Sequence, residues 1–294
     1  MKKELPEIHF DKQASLNIEV MNFEQLFAKL NRITEHDPFA PHKIEFYLIL
    51  VVTENAYSHS VDFKSYELKE GSTLFVAKNQ VHYFNEGLQQ AKGFGIVFNR
   101  LFVDKHYFLT DNLRLNRLFN YHIESQLIRP EEMGEDRLGD LIWHLHKEYS
   151  SQNDFAKSEI LAAQLRVLLL KAERAKELRA ISNVNPYWLE TFGKFKDMLE
   201  IEYVKTRSSR TYASELLISY KFLNDVVKKL TGKTVKTFID DFVTIEIKRY
   251  LISTSLTVNE ISFTCGFDEP ANMIKFFKKN TGSTPFKFRQ HQQS

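Results

Sequence analysis

The 294-residue chain holds one cysteine, Cys265, with only seven prolines and ten glycines. A single thiol closes no internal disulfide and supplies no multi-cysteine zinc site, so the sequence fits a reducing compartment, the cytoplasm. No window approaches 18 uninterrupted apolar residues, and the opening MKKELPEIHFDKQ has no apolar stretch after its lysines. Membrane insertion and secretion are therefore not expected. Also missing are G-x-G-x-x-G, G-x-x-x-x-G-K-[ST], H-E-x-x-H and G-x-S-x-G, the spacings that cradle phosphates, hold zinc or present a nucleophilic serine. His144 and His146 are two apart and diverge on a helix, while Glu131-Glu132 and Asp240-Asp241 read as solvated charge. No catalytic residue, cofactor or metal is expected from these patterns.

A strong charge of one sign is absent as well, with 40 Lys+Arg against 38 Asp+Glu. The distribution is uneven, however. Residues 187–294 carry 17 basic and 12 acidic side chains, leaving 23 and 26 for the rest. A mildly basic C-terminal part is compatible with an anionic partner. Nine of the ten histidines lie in the other part.

What is present falls into three stretches. From about Ile44 to Phe98, short β-branched and aromatic runs alternate with turns, notably 45–52, 59–63, 65–68, 73–77 and 91–98. Strands of that length and spacing predict an antiparallel barrel or sandwich over residues 1–110. Residues 111–185 then follow a helical period: Leu113, Leu115, Leu118 and Phe119, next Leu138, Leu141, Ile142, Leu145 and Tyr149, and finally an amphipathic helix over Asp154–Arg179. The stripe of that helix, with Leu161, Leu165 and Leu168, predicts either a homodimer contact or packing on its own barrel. Residues 186–294 read as helices at 188–205, 213–218, 220–230, 235–253, 258–265 and 269–280, ahead of a frayed tail at 290–294. Two successive short-helix, turn, helix units predict tandem helix-turn-helix elements.

Residues Gly266-Phe267-Asp268, Lys275-Phe276-Phe277-Lys278-Lys279 and Thr281-Gly282-Ser283-Thr284-Pro285-Phe286 closely resemble the C-terminal signature of AraC/XylS-type transcription regulators. Tyr212-Ala213-Ser214-Glu215-Leu216, Lys221-Phe222-Leu223, Lys228-Lys229-Leu230-Thr231-Gly232-Lys233 and Thr257-Val258-Asn259-Glu260-Ile261 agree upstream, so the resemblance spans roughly residues 190–290. It implies two recognition helices that enter consecutive major-groove segments of promoter DNA. Ser219, Lys221, Asn224, Asp225 and Lys228 on the first, and Asn272, Lys275 and Lys278 on the second, are the candidate DNA contacts. Asparagine pairs bidentately with adenine, and lysine reaches guanine or phosphate. Asp225 stands where the family commonly has a basic residue. Leu223, Val226, Val227 and Leu230, with Met273, Phe276 and Phe277, are the expected buried faces.

Residues 41–47, 66–72 and 80–82 are similar to the cupin-like sensor domains that precede such modules. That resemblance implies a barrel enclosing a small effector, with His42, Tyr47, His59 and His82 as candidate pocket residues. The histidines are open to three readings: metal ligands, hydrogen-bonding groups at a pocket rim, or structurally satisfied side chains. The fold class is thus multidomain α and β: a cupin-like antiparallel β-barrel, a helical connector and an all-α double helix-turn-helix domain. The expected partners are duplex DNA, a small effector, a second copy of the chain and RNA polymerase. The alternative is a cupin-type metalloenzyme or small-molecule binder with a helical appendage.

Overall fold

The computed structural model describes residues 7–8, 10, 16–33, 37–106, 118–123, 125–133, 138–152, 155–177 and 185–293. The chain divides into two compact units, Glu7–Ser182 and a unit built from residue 183 onward.

In the first unit the strands are β1 (Glu7–Ile8), β2 (Ile18–Asn22), β3 (His42–Ile44), β4 (Tyr47–Glu54), β5 (Ala56–Val61), β6 (Lys64–Lys69), β7 (Thr73–Val76), β8 (Val81–Tyr83), β9 (Lys92–Phe98) and β10 (Leu127–Ile128). They form two five-stranded sheets, β1-β3-β8-β5-β6 and β10-β7-β4-β9-β2. All pairings are antiparallel except β1 with β3. Helix α1 (Phe23–Leu30) follows β2 and opens with a capping box in which Asn22 and Gln25 satisfy each other's backbone N–H.

Strand β4 shows why the sequence reads as an unbroken apolar run. Leu48, Leu50 and Val52 face a core shared with Ile44, Val61 and Leu68 of the first sheet and with Phe23, Leu26 and Leu30 of α1. Ile49 and Val51 point the other way, into a second core. A sheet covered on both faces has no polar side to alternate with.

The second core is closed by α2 (Arg100–Lys105), α3 (Pro130–Met133), α4 (Leu138–Ser150) and α5 (Lys157–Glu177). Leu161, Leu165 and Leu168 are fully buried there, among Ile142, Leu145, Phe98 and Phe75. The stripe therefore packs on its own sheet, and the homodimer contact read from it is corrected. The helices expected as a connector over 111–185 are, as far as they are described, the outer layer of this unit. Leu113 and Leu115 lie outside the described residues; Leu118 and Phe119 belong to the second core.

The second unit comprises α6 (Pro186–Glu202), α7 (Ser209–Glu215), α8 (Tyr220–Thr231), α9 (Val235–Ser253), α10 (Val258–Thr264), α11 (Pro270–Thr281) and α12 (Pro285–Gln293). Helix α9 is its axis, with Phe238, Phe242, Val243, Ile247 and Leu251 buried. Phe192 and Phe195 of α6 meet Phe238 at ring separations of 5.3 and 5.8 Å. The tail expected to fray at 290–294 is, up to Gln293, part of α12. Arg289 holds that helix down: Nε donates to Leu251 O at 2.9 Å and Nη1 to Leu256 O at 2.7 Å, covering carbonyls at the end of α9 that have no partner within the helix.

Candidate nucleic-acid interface and N-terminal cavity

Three candidate histidines meet in the first sheet, brought together by strand register. His42 and His82 are directly paired across β3 and β8, while His59 sits two residues from Val61, which pairs with His82. Diagonal neighbours of that kind lie within side-chain reach. His42 Nε2 is 3.1 Å from His82 Nε2, His82 Nδ1 is 3.1 Å from His59 Nε2, and His59 Nδ1 is 3.0 Å from the Tyr57 hydroxyl. At the other end His42 Nδ1 donates to Ala40 O at 2.9 Å. A carbonyl only accepts, so with neutral rings every proton in the chain is assigned. His42 Nε2 accepts from His82, His82 Nδ1 accepts from His59, and His59 Nδ1 accepts from Tyr57. Burial holds His59 and His82 neutral: it pushes His59 down to about 3 and His82 well below the usual imidazole value. The nitrogens are arranged in a line rather than around a point, and no cluster of three or more His, Cys, Asp or Glu among the described residues is placed to hold a metal ion.

His42 and His82 form part of the wall of a cavity of about 450 Å³, whose other walls include Phe10, Leu26, Leu30, Phe46 and Phe84. Glu7, Arg32 and the Glu19–Lys29 ion pair supply its charged groups. His59 is behind the wall, completely buried. Tyr47 is elsewhere. Its ring lies 5.3 Å from Phe98 and 4.8 Å from Phe119, on the helix-covered side of β4, because β4 residues of odd number face away from the cavity. The pocket role read for Tyr47 is corrected accordingly.

In the second unit, α7 and α8 form the first helix-turn-helix. Leu217 makes the turn with φ of +56° and is 92% exposed. Ser219 caps α8, its Oγ accepting from Phe222 N at 3.1 Å. Leu223, Val226, Val227 and Leu230 are buried as the period predicts, which leaves Lys221, Asp225, Lys228 and Lys229 exposed. Asn224 is half-buried, and its Oδ1 accepts from Val235 N at 3.2 Å, the first residue of α9. Ser219 and Asn224 therefore also serve the fold through their side-chain oxygens.

Helices α10 and α11 form the second unit. Thr257 and Glu260 make a capping box at its start. Met273 and Phe277 are buried, but Phe276 is only half-buried, its ring tilted against Phe267 at 5.4 Å. Asn272, Lys275, Lys278 and Lys279 are exposed. The two units end alike. Gly232 and Gly282 take φ of +72° and +74°, and each donates its N–H to a lysine carbonyl one turn back, Lys228 O and Lys278 O, at 2.9 Å. Thr231 and Thr281 bond Val227 O and Phe277 O at 2.7 and 2.8 Å, and Lys233 N and Ser283 N both return to those threonine hydroxyls at 3.2 Å. A repeated Lys-Lys-x-Thr-Gly thus leaves a matching pair of exposed lysines at the C-terminal end of each second helix.

A family model described as a helix-turn-helix domain matches residues 212–291. The transcriptional activator RhaS of Escherichia fergusonii is 23% identical over 258 residues, covering 86% of this chain and 88% of that protein. The bifunctional transcriptional activator/DNA repair enzyme AdaA of Bacillus subtilis is 36% identical over 63 residues, 21% of this chain and 30% of that protein. Among solved structures, ToxT of Vibrio cholerae with a bound unsaturated fatty acid aligns at 15% identity over 85% of this chain and 89% of that one, with a TM-score of 0.43. The chain thus carries a helix-turn-helix domain and is similar over most of its length to a transcriptional activator.

In the matched helix-turn-helix domain, Lys221, Asp225 and Lys228 share one exposed helix face, and Asn272, Lys275 and Lys278 another. Lys229 and Lys279 join them from the repeated exit motif, and both were legible as the second members of their Lys-Lys pairs. Tyr57 was missed. Its signal was the Tyr-x-His spacing at 57–59, which places both side chains on one face of a strand. Among the described residues, no helix is long and apolar enough to cross a membrane.

Proposed function

We propose that this regulator binds promoter DNA sequence-specifically, with α8 and α11 in consecutive major-groove segments about 10 bp apart, and that a small effector in the N-terminal cavity controls it. The single observation that carries the reading is the pair of tandem helix-turn-helix units ending in the same exposed lysine pair. An α-helix fits the major groove, and lysines at its exit reach phosphates on either side. On this reading the protein acts in the cytoplasm as a regulator rather than an enzyme, with RNA polymerase as a further partner at the promoter.

The cavity offers an effector apolar walls and a few convergent polar groups, the usual composition of a small-molecule site. An effector acts only through a difference in affinity between two states of the protein.

The test is equilibrium binding of the full chain to promoter and random duplexes as salt is varied. If Lys221, Lys228, Lys275 and Lys278 each displace a phosphate counterion, the log–log slope is steeper by about 0.9 per contact, or roughly 3 to 4 together. Substituting Lys228 and Lys278 with Gln is expected to flatten it by about 2 of those units. Affinity that does not change with salt, or no preference for any duplex, would contradict the reading.

A further inference from the structure

The segment that leads into the first helix-turn-helix is bolted to the turn of the second. Arg207, two residues before α7, donates from Nη2 to Cys265 O at 2.7 Å. Its guanidinium centre lies 3.5 Å from the centroid of the Phe267 ring and 5.9 Å from that of Phe276. Phe267 in turn meets Phe276, a residue of α11, with ring centroids 5.4 Å apart and the planes tilted by 59°. Alongside, Gly266 takes φ of +73° and approaches so closely that a Cβ placed on it would stand 1.9 Å from Val204 O. Val204 and Arg207 on one side thus meet Cys265, Gly266 and Phe267 on the other, with backbone against backbone and a planar cation over an aromatic face.

The same segment is tied to the first unit. Tyr212 of α7 donates its hydroxyl proton to Thr206 O at 2.9 Å, and Ser208 caps α7. Arg207 therefore lies between two rigidly held elements, one in each helix-turn-helix. Its surroundings also set it apart from a phosphate-binding arginine: the side chain is half-buried, its Nη2 is engaged, and Nε is buried with no hydrogen-bond partner. A planar guanidinium stacks and donates in the plane at the same time, which a lysine ammonium does not.

We propose that Arg207 is a positioning residue for DNA recognition: by locking the α10–α11 turn to the entry of α7, it fixes the second recognition helix relative to the first and so selects the separation between the two halves of the binding site. Helix α9 connects the two units through one continuous element; the Arg207 contact is a second tie on a different side of the second unit's turn, and two ties restrain a rotation that one leaves open. This rests on the reading that α8 and α11 occupy the same duplex.

The experiment uses the full chain and a set of duplexes in which the two half-sites, mapped by footprinting with the unmodified protein, are separated by the best spacing or by one base pair more or less. One base pair turns the second half-site by about a tenth of a helical turn. The unmodified protein is expected to prefer the best spacing by about tenfold or more, and Arg207→Ala to reduce that preference to about twofold with the salt slope unchanged. Arg207→Lys is expected not to restore it. Phe267→Leu, which removes the ring and keeps the arginine, is expected to loosen spacing in the same way, so the proposal stays testable if Arg207→Ala fails to fold by circular dichroism. Two variants that keep the full spacing preference would overturn the inference, as would a salt slope shallower by about 0.9 at unchanged preference, which marks Arg207 as a phosphate contact. An unmodified protein that binds no duplex defeats the functional reading first, and that outcome is distinct from both.

Discussion

Acidifying the solution from pH 7 to pH 5 should weaken the N-terminal unit by about 2 kcal/mol or more, a figure that follows from His59 in the relay Tyr57–His59–His82–His42. In the folded protein His59 is pushed down to about 3 and His82 well below its ordinary value, both chiefly by burial. In the unfolded chain each titrates near the ordinary imidazole value of about 6.5. The unfolded state therefore binds protons that the folded state refuses, and stability falls as pH drops below about 6.5, while above it the contribution is fully present. The slope approaches about 1.4 kcal/mol per pH unit for His59, so between pH 7 and 5 it contributes about 2 kcal/mol, and His82 acts in the same direction. His106 and His146, also lowered by burial, act in the same direction. Against a typical domain stability of about 5–15 kcal/mol, the loss is large. Urea unfolding at a series of pH values measures it. Trp188 touches Phe222 in the C-terminal unit, so Trp188→Phe leaves Trp143 of α4 as the fluorescent reporter of the N-terminal one. A free energy at pH 5 within about 1 kcal/mol of the value at pH 7 would refute the assignment of the rings as buried and neutral.

Two further outcomes separate residues that look alike in the sequence. Gly266→Ala should cost the C-terminal unit about 3 kcal/mol or more by thermal or urea unfolding, because its Cβ meets Val204 O, whereas Gly232→Ala, with a similar φ but open space around it, should cost about 1 kcal/mol. Asn224→Ala should lower the stability of that unit by about 1 kcal/mol, through loss of the acceptor for Val235 N, and leave the ranking of preferred over random duplexes unchanged in a binding assay.

Periodicity carried most of the C-terminal unit, because α8 and α11 each bury one face and solvate the other, and their ends are marked by Gly232 and Gly282. It failed where a helix has no such face. Pro285–Gln293 alternates Phe and Lys before a polar run, and its helix is held by Arg289 reaching carbonyls of another element, a contact with no local signal. The stripe of Leu161, Leu165 and Leu168 was plain, but an apolar face does not name what covers it, and here the answer was the back of strand β4's own sheet. Of the pocket residues, His42, His59 and His82 stood out by type, yet only strand register joins positions 23 and 40 apart in sequence into one relay. Tyr47 was misplaced for the complementary reason: in a sheet buried on both faces, alternation of side is invisible in an unbroken run of apolar residues.

The bond from Arg289 to Leu251 and Leu256 also fixes the order in which the molecule becomes complete. Chains emerge from synthesis N-terminal end first, and domains fold as units once their residues are available. All residues of the sheet unit precede residue 183, so its cores can close early. The C-terminal unit is different: its axis, α9, stands in the middle of that stretch, and the carbonyls where α9 turns toward α10 wait for a side chain 33 residues beyond the second of them. Until α12 arrives, the corner between the two helix-turn-helix units is held by the Arg207 contact without the Arg289 bonds. A nascent chain stalled before Pro285 would carry both recognition helices and the Arg207 contact, but would leave the carbonyls of Leu251 and Leu256 without the Arg289 side chain that covers them.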